Sequence, residues 1–170
     1  MSTVEIRSLR ADDPEPMAAA FAAVGWLGKN VAQYRRYLVE QETGSRAVFV
    51  AGVRGGFAGY LTVVWHSAYA PFGVAEIPEI VDLNVLPSFR RRGIGWALMD
   101  AAERLIGARS DTAGIGVGLT ADYTAAHLMY LRRGYLPDGR GLAYRGVPCR
   151  HGASVRVGDD LALMMTRPLR

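Results

Sequence analysis

The 170 residues include a single cysteine, Cys149, so no disulfide can form within the chain. This composition fits a reducing compartment, and we expect a cytoplasmic protein. No apolar run approaches the length of about 18 residues that a membrane-spanning helix requires. Residues 1–12 are polar and charged and do not resemble a secretory signal peptide. We therefore expect no membrane partner.

Signatures of metal and nucleotide chemistry are also missing. The histidines, His66, His127 and His151, lack the spacing of metal ligands, so we expect no metal. The chain has no GxxxxGK[ST] phosphate loop, and its basic segment at residues 90–95 does not contain the GxGxxG dinucleotide fingerprint. A nucleophilic pair of Cys149 with a histidine stays a disfavoured alternative.

The formal charge is +4 and the pI about 9.5, which favours an anionic partner. Such a partner could be a phosphorylated small molecule, a nucleic acid or a membrane surface. The excess is modest, and we find no RNA-binding aromatic motif and no DNA-reading helix. We expect no nucleic-acid partner, and a basic nucleic-acid-binding protein is the least favoured alternative.

Length and patterning indicate one α/β domain over residues 1–170. Alternating or β-branched segments predict strands, and amphipathic segments between capping residues and glycines predict helices. The predicted order is β-α-α-β-β-β-α-β-α-β-β. Strands are expected at 3–10, 46–53, 57–69, 79–87, 113–121, within 135–158 and at 159–169; helices are expected after Pro14, after Asn30, from about Ile94 and over 124–134.

The segment RRRGIG, residues 90–95, lies between a predicted strand and a predicted helix. The first amides of a helix have no partner inside the helix and carry partial positive charge. Gly93 and Gly95 remove side chains, so an anion can approach the main chain, and the arginines add positive charge. The pattern indicates anion binding at a helix N-terminus, with a solvated basic turn as the alternative.

Two motifs resemble those of the GNAT N-acetyltransferase superfamily. The stretch VLPSFRRRGIGWALMDAAERL resembles its acetyl-CoA-binding segment, because Arg90, Gly93 and Gly95 fill the pattern [RQ]-x-x-G-x-[GA]. The stretch AHLMYLRRGY is similar to A-x-x-L-Y-x-x-x-G-[FY], with Met129 in place of leucine and Tyr130 at the tyrosine position. The order and separation of the motifs also match this family.

The resemblance implies a single-domain fold with a mixed, mostly antiparallel, twisted sheet. About six to seven strands would be flanked by about four helices, with splayed central parallel strands. It also implies direct transfer of an acetyl group from acetyl-CoA to a primary amine. The residues implied to bind the cofactor are Leu83, Asn84 and Val85 on the strand and Arg90, Arg91, Arg92, Gly93, Ile94, Gly95 and Trp96 in the loop and helix.

The resemblance also implies catalytic roles. Tyr130 would donate a proton to the leaving thiolate, with packing in the core as its alternative role. Glu79 is the first candidate for the base that deprotonates the amine, and a surface carboxylate is the alternative reading of that residue. Asp82 is the second candidate. Family members often have asparagine where this chain has Tyr123, so the cofactor contact expected there is in doubt.

The acceptor site of this fold would be formed by residues 24–40 and 139–158, including Trp26, Tyr34 and Tyr144. Tyr34 could equally pack a helix face. The arginines of the second segment favour an acidic acceptor over a polyamine, although a solvated basic hairpin explains them equally well. The acceptor could be a small molecule or a protein, and the family's habit suggests a homodimer. A non-catalytic acetyl-CoA-binding module is the alternative function.

Overall fold

The computed structural model describes residues 3–170, which form two compact units. The first unit runs to Val64 and resumes over Val81–Leu105, and the second comprises Trp65–Ile80 and Ile106–Arg170. Strand β4, Glu79–Val85, begins in the second unit and continues in the first. Helix α4, Ile94–Gly107, begins in the first unit and ends in the second.

The first unit contains three antiparallel strands and two helices in addition to its parts of β4 and α4. Strand β1 pairs with β2 from Val4↔Val53 to Ser8↔Phe49, and β2 forms the predicted hairpin with β3. The elements are β1 Val4–Ser8, α1 Pro14–Ala23, α2 Val31–Glu42, β2 Arg46–Val53, β3 Gly56–Val64 and a 3₁₀ turn at Pro87–Phe89.

Side-chain hydrogen bonds are present at the residues that precede the first two helices. Asn30 caps α2, because its side-chain oxygen accepts the Gln33 amide at 3.0 Å. Asp13 precedes α1, and its carboxylate accepts two hydrogen bonds of 2.7 Å from the Arg7 guanidinium. Burial raises the pKa of Asp13, but the bonds from Arg7 and from the Arg10 amide outweigh it and lower the pKa overall.

Aromatic side chains form the core of the first unit. Phe21 of α1 meets the Tyr60 ring of β3 edge-on, with centroids 5.8 Å apart. Tyr34 of α2 contacts the same ring edge-on at 5.3 Å. All three are fully buried, so the apolar faces of both helices lie on the sheet. This packing positions α2 against the strand that precedes β4.

The second unit is built around strand β8. Strand β5 pairs with β8 from Thr112↔Pro168 to Gly118↔Ala162, and β8 pairs in turn with β6. Both ladders are antiparallel. The complete elements of this unit are α3 Ala70–Val74, β5 Thr112–Gly118, a 3₁₀ turn at Ala121–Tyr123, α5 Thr124–Arg132, β6 Leu136–Tyr144, β7 Val147–Pro148 and β8 Leu161–Pro168.

The strand order is β1-β2-β3-β4-β5-β8-β6-β7, which confirms the expected mixed, mostly antiparallel sheet. Strands β4 and β5 are parallel, and their ladder consists of Glu79↔Gly114 and Ile80↔Ile115, at the start of β4. The eight strands and five helices exceed the expected numbers because β7 and α3 are too short to show a periodic pattern. A single domain over residues 1–170 stays a prediction.

Strand β3 ends at Val64, whereas the sequence predicted a strand that continued to residue 69. Tyr69 instead precedes α3, whose first turn contains Pro71. Proline fits the start of a helix, where its missing amide hydrogen is not needed. The longest described helix, α4, has 14 residues, and no helix within residues 3–170 is long and apolar enough to cross a bilayer.

Candidate functional site

The RRRGIG loop leads into α4, and the first amides of that helix have no acceptor within the helix. The first intrahelical acceptor is the Gly93 carbonyl, which takes the Ala97 amide at 3.0 Å. The amides of Ile94, Gly95 and Trp96 therefore precede the hydrogen-bonded part of the helix. Gly93 has φ +78°, and a Cβ added there would meet no atom within 4 Å. The space over this positive helix end is open, which fits a phosphate group.

The three arginines of this loop are exposed, and the contacts of Arg90 are the best defined. Arg90 donates from Nε to the Val85 carbonyl at 3.2 Å, so it ties the loop to the end of β4. Its guanidinium lies over the Trp26 ring, 5.5 Å from the centroid, and Trp26 itself stacks on Phe21. Arg90, Arg91 and Arg92 are all exposed. Trp26, a predicted acceptor residue, thus packs beside the loop.

Strand β4 departs from regular geometry just before this loop. Asp82 has φ +60°, a left-handed conformation that is rare in a strand. The backbone after it comes very close to β3, since a Cβ added to Gly59 would lie 2.5 Å from the Asn84 carbonyl oxygen. Leu83, Asn84 and Val85 are half-buried. The left-handed conformation at Asp82 changes the direction of its side chain from that expected in a regular strand.

The Asp82 carboxylate accepts hydrogen bonds from side chains of α2, of β3 and of the segment before α2. Gln33 Nε2 and the Tyr37 hydroxyl each donate to Oδ2 at 3.0 Å. Asn84 Nδ2 donates to Oδ1 at 2.8 Å. The other two donors, both in short contacts, are the Lys29 ammonium and the Tyr60 hydroxyl. We call these six residues the Asp82 cluster.

The electrostatics of the Asp82 cluster keep its carboxylate ionised. Burial raises the pKa of Asp82, but the positive charge and hydrogen bond of Lys29 and the tyrosine hydroxyls outweigh it, so the pKa lies below its usual range. Burial and the negative charge of Asp82 raise the pKa of Tyr37 to about 12 and raise that of Tyr60 as well. Both tyrosines therefore remain donors at neutral pH.

Tyr34, a predicted acceptor residue, lies in the core instead. Its exposed fraction is 0%, and its ring packs edge-on against Tyr37 and Tyr60. Its hydroxyl is the only fully buried side-chain oxygen or nitrogen without a hydrogen-bond partner in residues 3–170. This packing favours the alternative that Tyr34 covers a helix face.

In the second unit, Tyr130 is a buried residue of α5 with 5% of its surface exposed. Its ring packs against Tyr135, with centroids 6.1 Å apart. Burial, with a smaller effect of Tyr123, raises the pKa of Tyr130, so the hydroxyl keeps its proton at neutral pH. Tyr130 is therefore available as a hydrogen-bond donor.

Tyr123 occupies the position at which the related family often has asparagine. Its hydroxyl donates to Asp159 Oδ1 at 2.9 Å. Its ring covers the end of β5, because a Cβ added to Gly118 would lie 2.5 Å from that ring. Tyr123 is therefore held in place by its own unit.

Two further predicted residues lie in the second unit. Glu79 is half-buried at the start of β4, and its carboxylate accepts a short hydrogen bond from Ser67. Tyr144 is half-buried at the end of β6, and the Arg145 guanidinium lies 5.3 Å from its ring centroid. Tyr144 lines an open cleft of about 440 Å³ with Arg145, Arg156, Val157, Gly158, Asp159 and Asp160.

The basic segment around this cleft is partly neutralised. Arg145 pairs with Asp160 at 3.0 Å, and Arg140 lies 3.8 Å from Asp138. The arginine side chains of both pairs are exposed, so these ion pairs contribute little to stability. No group of three or more His, Cys, Asp or Glu side chains in the described part of the chain could hold a metal ion.

Sequence reasoning missed the partners of Asp82, namely Lys29, Gln33, Tyr37 and Tyr60. A signal was available, because Asp82 is a charged residue inside a strand whose other residues, apart from Glu79 at its start, are apolar or amide. Such a residue needs a partner when it is buried. Lys29 is also the only lysine in the chain, the other cationic residues being arginines.

An open helix N-terminus that follows a strand is a geometry that suits the phosphate group of a ligand. A sequence profile of the acetyltransferase (GNAT) domain matches residues 44–137, more than half of the chain. The chain therefore belongs to the GNAT acetyltransferase family, whose cosubstrate is acetyl-CoA. A search of curated proteins gives no match.

Solved structures share the fold. The PaiA N-acetyltransferase of Thermoplasma acidophilum, crystallised with coenzyme A, is 12% identical with a TM-score of 0.68, covering 98% of this chain and 99% of its own. A Salmonella typhimurium acetyltransferase that modifies the N-terminal serine of ribosomal protein L7/L12 is 13% identical with a TM-score of 0.71, covering 98% and 95%.

An aminoglycoside 6′-N-acetyltransferase complexed with coenzyme A is 13% identical with a TM-score of 0.67, and the match covers 98% of this chain and 97% of that enzyme. At these identities the likeness shows the fold alone. The expected fold class and the family resemblance are confirmed.

Proposed function

We propose that the protein is an N-acetyltransferase that moves an acetyl group directly from acetyl-CoA to a primary amine of a small molecule or a protein. The observation that carries this proposal is the open N-terminus of α4, where the first amides have no acceptor within the helix and Gly93 is uncovered. The solved relatives support the two acceptor classes, since one acts on a ribosomal protein and another on aminoglycosides.

The residues of the loop fit the pyrophosphate of coenzyme A. The amides of Ile94, Gly95 and Trp96 would hold phosphate oxygens, and Gly93 leaves room for them. Arg91 and Arg92 are exposed beside the loop and would add charge. Arg90 would act mainly by tying the loop to the Val85 carbonyl. The backbone of Leu83, Asn84 and Val85 would lie along the pantetheine arm.

Tyr130 is proposed as the donor to the leaving sulfur. When bound, acetyl-CoA supplies the acetyl group as a thioester. The amine nitrogen forms a bond to the carbonyl carbon, the carbon–sulfur bond breaks, and the sulfur takes a proton or a hydrogen bond from the Tyr130 hydroxyl. The burial that keeps this hydroxyl protonated supports the role.

Glu79 is the better candidate for the base, and Asp82 the weaker one. An ammonium has no lone pair, so the acceptor must lose a proton before it attacks. Asp82 already accepts five hydrogen bonds and has a lowered pKa, which makes it a poor proton acceptor. Glu79 is half-buried, with Ser67 as one donor to it.

The acceptor site is proposed to include Trp26 and Tyr144. A cytoplasmic location and a homodimer are proposed from the lone cysteine and from the habit of the family. Nucleic acids and membranes are not proposed as partners. The Tyr144 cleft is lined by two arginines and two aspartates, so its charges balance and do not by themselves favour an anionic acceptor.

Replacement of Tyr130 by phenylalanine tests the catalytic proposal. The variant removes one hydroxyl, and we expect kcat to fall by about 100-fold, the lower end for general acid–base catalysis, with little change in acetyl-CoA affinity. Release of the coenzyme A thiol with a panel of amines measures the rate. Tyr34→Phe is the matched control and should keep the native rate. An unchanged rate in Tyr130→Phe would remove Tyr130 from the mechanism.

A further inference from the structure

The Lys29 ammonium occupies a site that would suit the ammonium of a ligand. It contacts the Asp82 carboxylate and lies 5.7 Å from the centroid of the Tyr60 ring. A carboxylate beside an aromatic face is a common environment for an organic cation. Four neutral donors hold the carboxylate in place: Gln33, Tyr37 and Tyr60 donate to Oδ2, and Asn84 donates to Oδ1, the oxygen that Lys29 also contacts. The site is therefore preorganised for one positive charge, which the chain supplies itself.

The Lys29 side chain reaches Asp82 from a connecting segment rather than from a helix or strand. Lys29 lies between α1 and α2, beside Gly28, where an added Cβ would meet no atom within 4 Å. Its side chain is 23% exposed, whereas that of Asp82 is 16% exposed. Removal of the lysine side chain would thus open a path from solvent to a buried carboxylate.

Among the carboxylates described in the first unit near α2 and the RRRGIG loop, Asp82 differs from those of α2, and the half-buried Glu79 of β4 belongs to the second unit. On α2, the Glu40 carboxylate already pairs with Arg46, and Arg35 pairs with Glu15. On β4, the neighbours of Asp82 are Val81 and Leu83, which are apolar. Within the first unit, the Asp82 carboxylate is the buried negative charge nearest along the chain to the RRRGIG loop.

The distance between Asp82 and the RRRGIG loop along β4 also suits an acceptor. A strand rises about 3.3 Å per residue, so Asp82 lies about 13 Å along β4 from Leu86, where the strand gives way to the loop. This separation is comparable with an extended pantetheine arm, if the pyrophosphate lies in the loop as proposed. An acceptor that reached the thioester would then approach the Asp82 cluster.

We propose that Lys29 determines acceptor specificity: its ammonium fills the cation site of Asp82 and so excludes acceptors that carry a second positive charge. The inference rests on the proposed function and narrows the substrate class to amines whose remaining groups are neutral or anionic. A diamine would have to displace Lys29 from a carboxylate that it already neutralises.

Binding of 1,4-diaminobutane tests this proposal independently of catalysis. Calorimetric titrations would compare the native protein with Lys29→Met, which keeps an unbranched side chain, shortens it by one atom and removes its charge. We expect Lys29→Met to bind the diamine at least tenfold more tightly than the native chain. The double variant Lys29→Met/Asp82→Asn should lose that gain, and Lys29→Arg should behave as the native chain.

Lys29→Gln serves as a second uncharged variant, and thermal unfolding with retained acetyl-CoA binding shows that each variant is folded. In transfer assays, the ratio of kcat/KM for 1,4-diaminobutane to that for 1-aminobutane should rise at least tenfold in Lys29→Met.

Native-like diamine binding in both uncharged variants, or binding that survives Asp82→Asn, would overturn the role of Lys29. Failure of the native protein to acetylate any amine would count against the proposed function instead, because the diamine titrations do not depend on turnover.

Discussion

Replacement of Asp82 by asparagine removes the negative charge of the Asp82 cluster and leaves the side-chain volume nearly unchanged. Removal of one partner of a buried ion pair typically costs 3–5 kcal/mol. Here Lys29 is partly exposed and can turn to solvent, while the Tyr37 and Tyr60 hydroxyls lose a charged acceptor worth about 1.5–3 kcal/mol each at most. The amide oxygen retains part of these bonds. We expect a loss of about 2–4 kcal/mol.

The destabilisation caused by Asp82→Asn should depend on pH. The pKa of Asp82 is lowered in the folded chain, so its contribution is fully present above the unfolded pKa of about 3.9 and is lost as pH falls through the folded value. Asp82→Asn should therefore cost most at pH 7 and less below pH 3. Urea unfolding at both pH values measures it. A loss below 0.5 kcal/mol at about neutral pH would refute the ion-pair account.

Two other substitutions test the packing around the cluster. Gly59→Ala should destabilise the chain by about 1–3 kcal/mol, because its Cβ would meet the Asn84 carbonyl and the Val85 Cα, and Gly158→Ala, at an open position, should be near neutral. Equal unfolding midpoints for these variants would contradict the close approach of β3 and β4. Tyr34→Phe removes the unpartnered hydroxyl and should stabilise the chain by about 1 kcal/mol; destabilisation would reveal a hydrogen bond of that hydroxyl.

The sequence was most informative where short motifs and regular patterns coincide. The RRRGIG loop before a helix, the helix itself and the cap at Asn30 could be predicted, because glycine and capping residues act through the local backbone; anion binding by the loop stays a prediction. The end of β3 was predicted too late, since Pro71 starts a helix that a run of aromatic residues conceals.

The Asp82 cluster could not be predicted because its members are distant in the sequence. Lys29 and Gln33 come from the α1–α2 region, and Tyr60 comes from β3. Only the folded first unit brings them to one carboxylate. Tyr34 could not be assigned from the sequence for a different reason. Its position on α2 is compatible with both an acceptor site and the core, and its burial favours the core.

Calorimetric titration of acetyl-CoA into the native protein, Gly93→Glu and Gly93→Ala is the most direct test of the central claim. Gly93 has φ +78° and open space above it, so alanine introduces only backbone strain, whereas glutamate adds a negative charge at the phosphate position. We predict binding by the native chain, weaker binding by Gly93→Ala and no measurable binding by Gly93→Glu. Absence of binding by the native chain, or native-like binding by Gly93→Glu, would contradict the claim that the RRRGIG loop holds the cosubstrate.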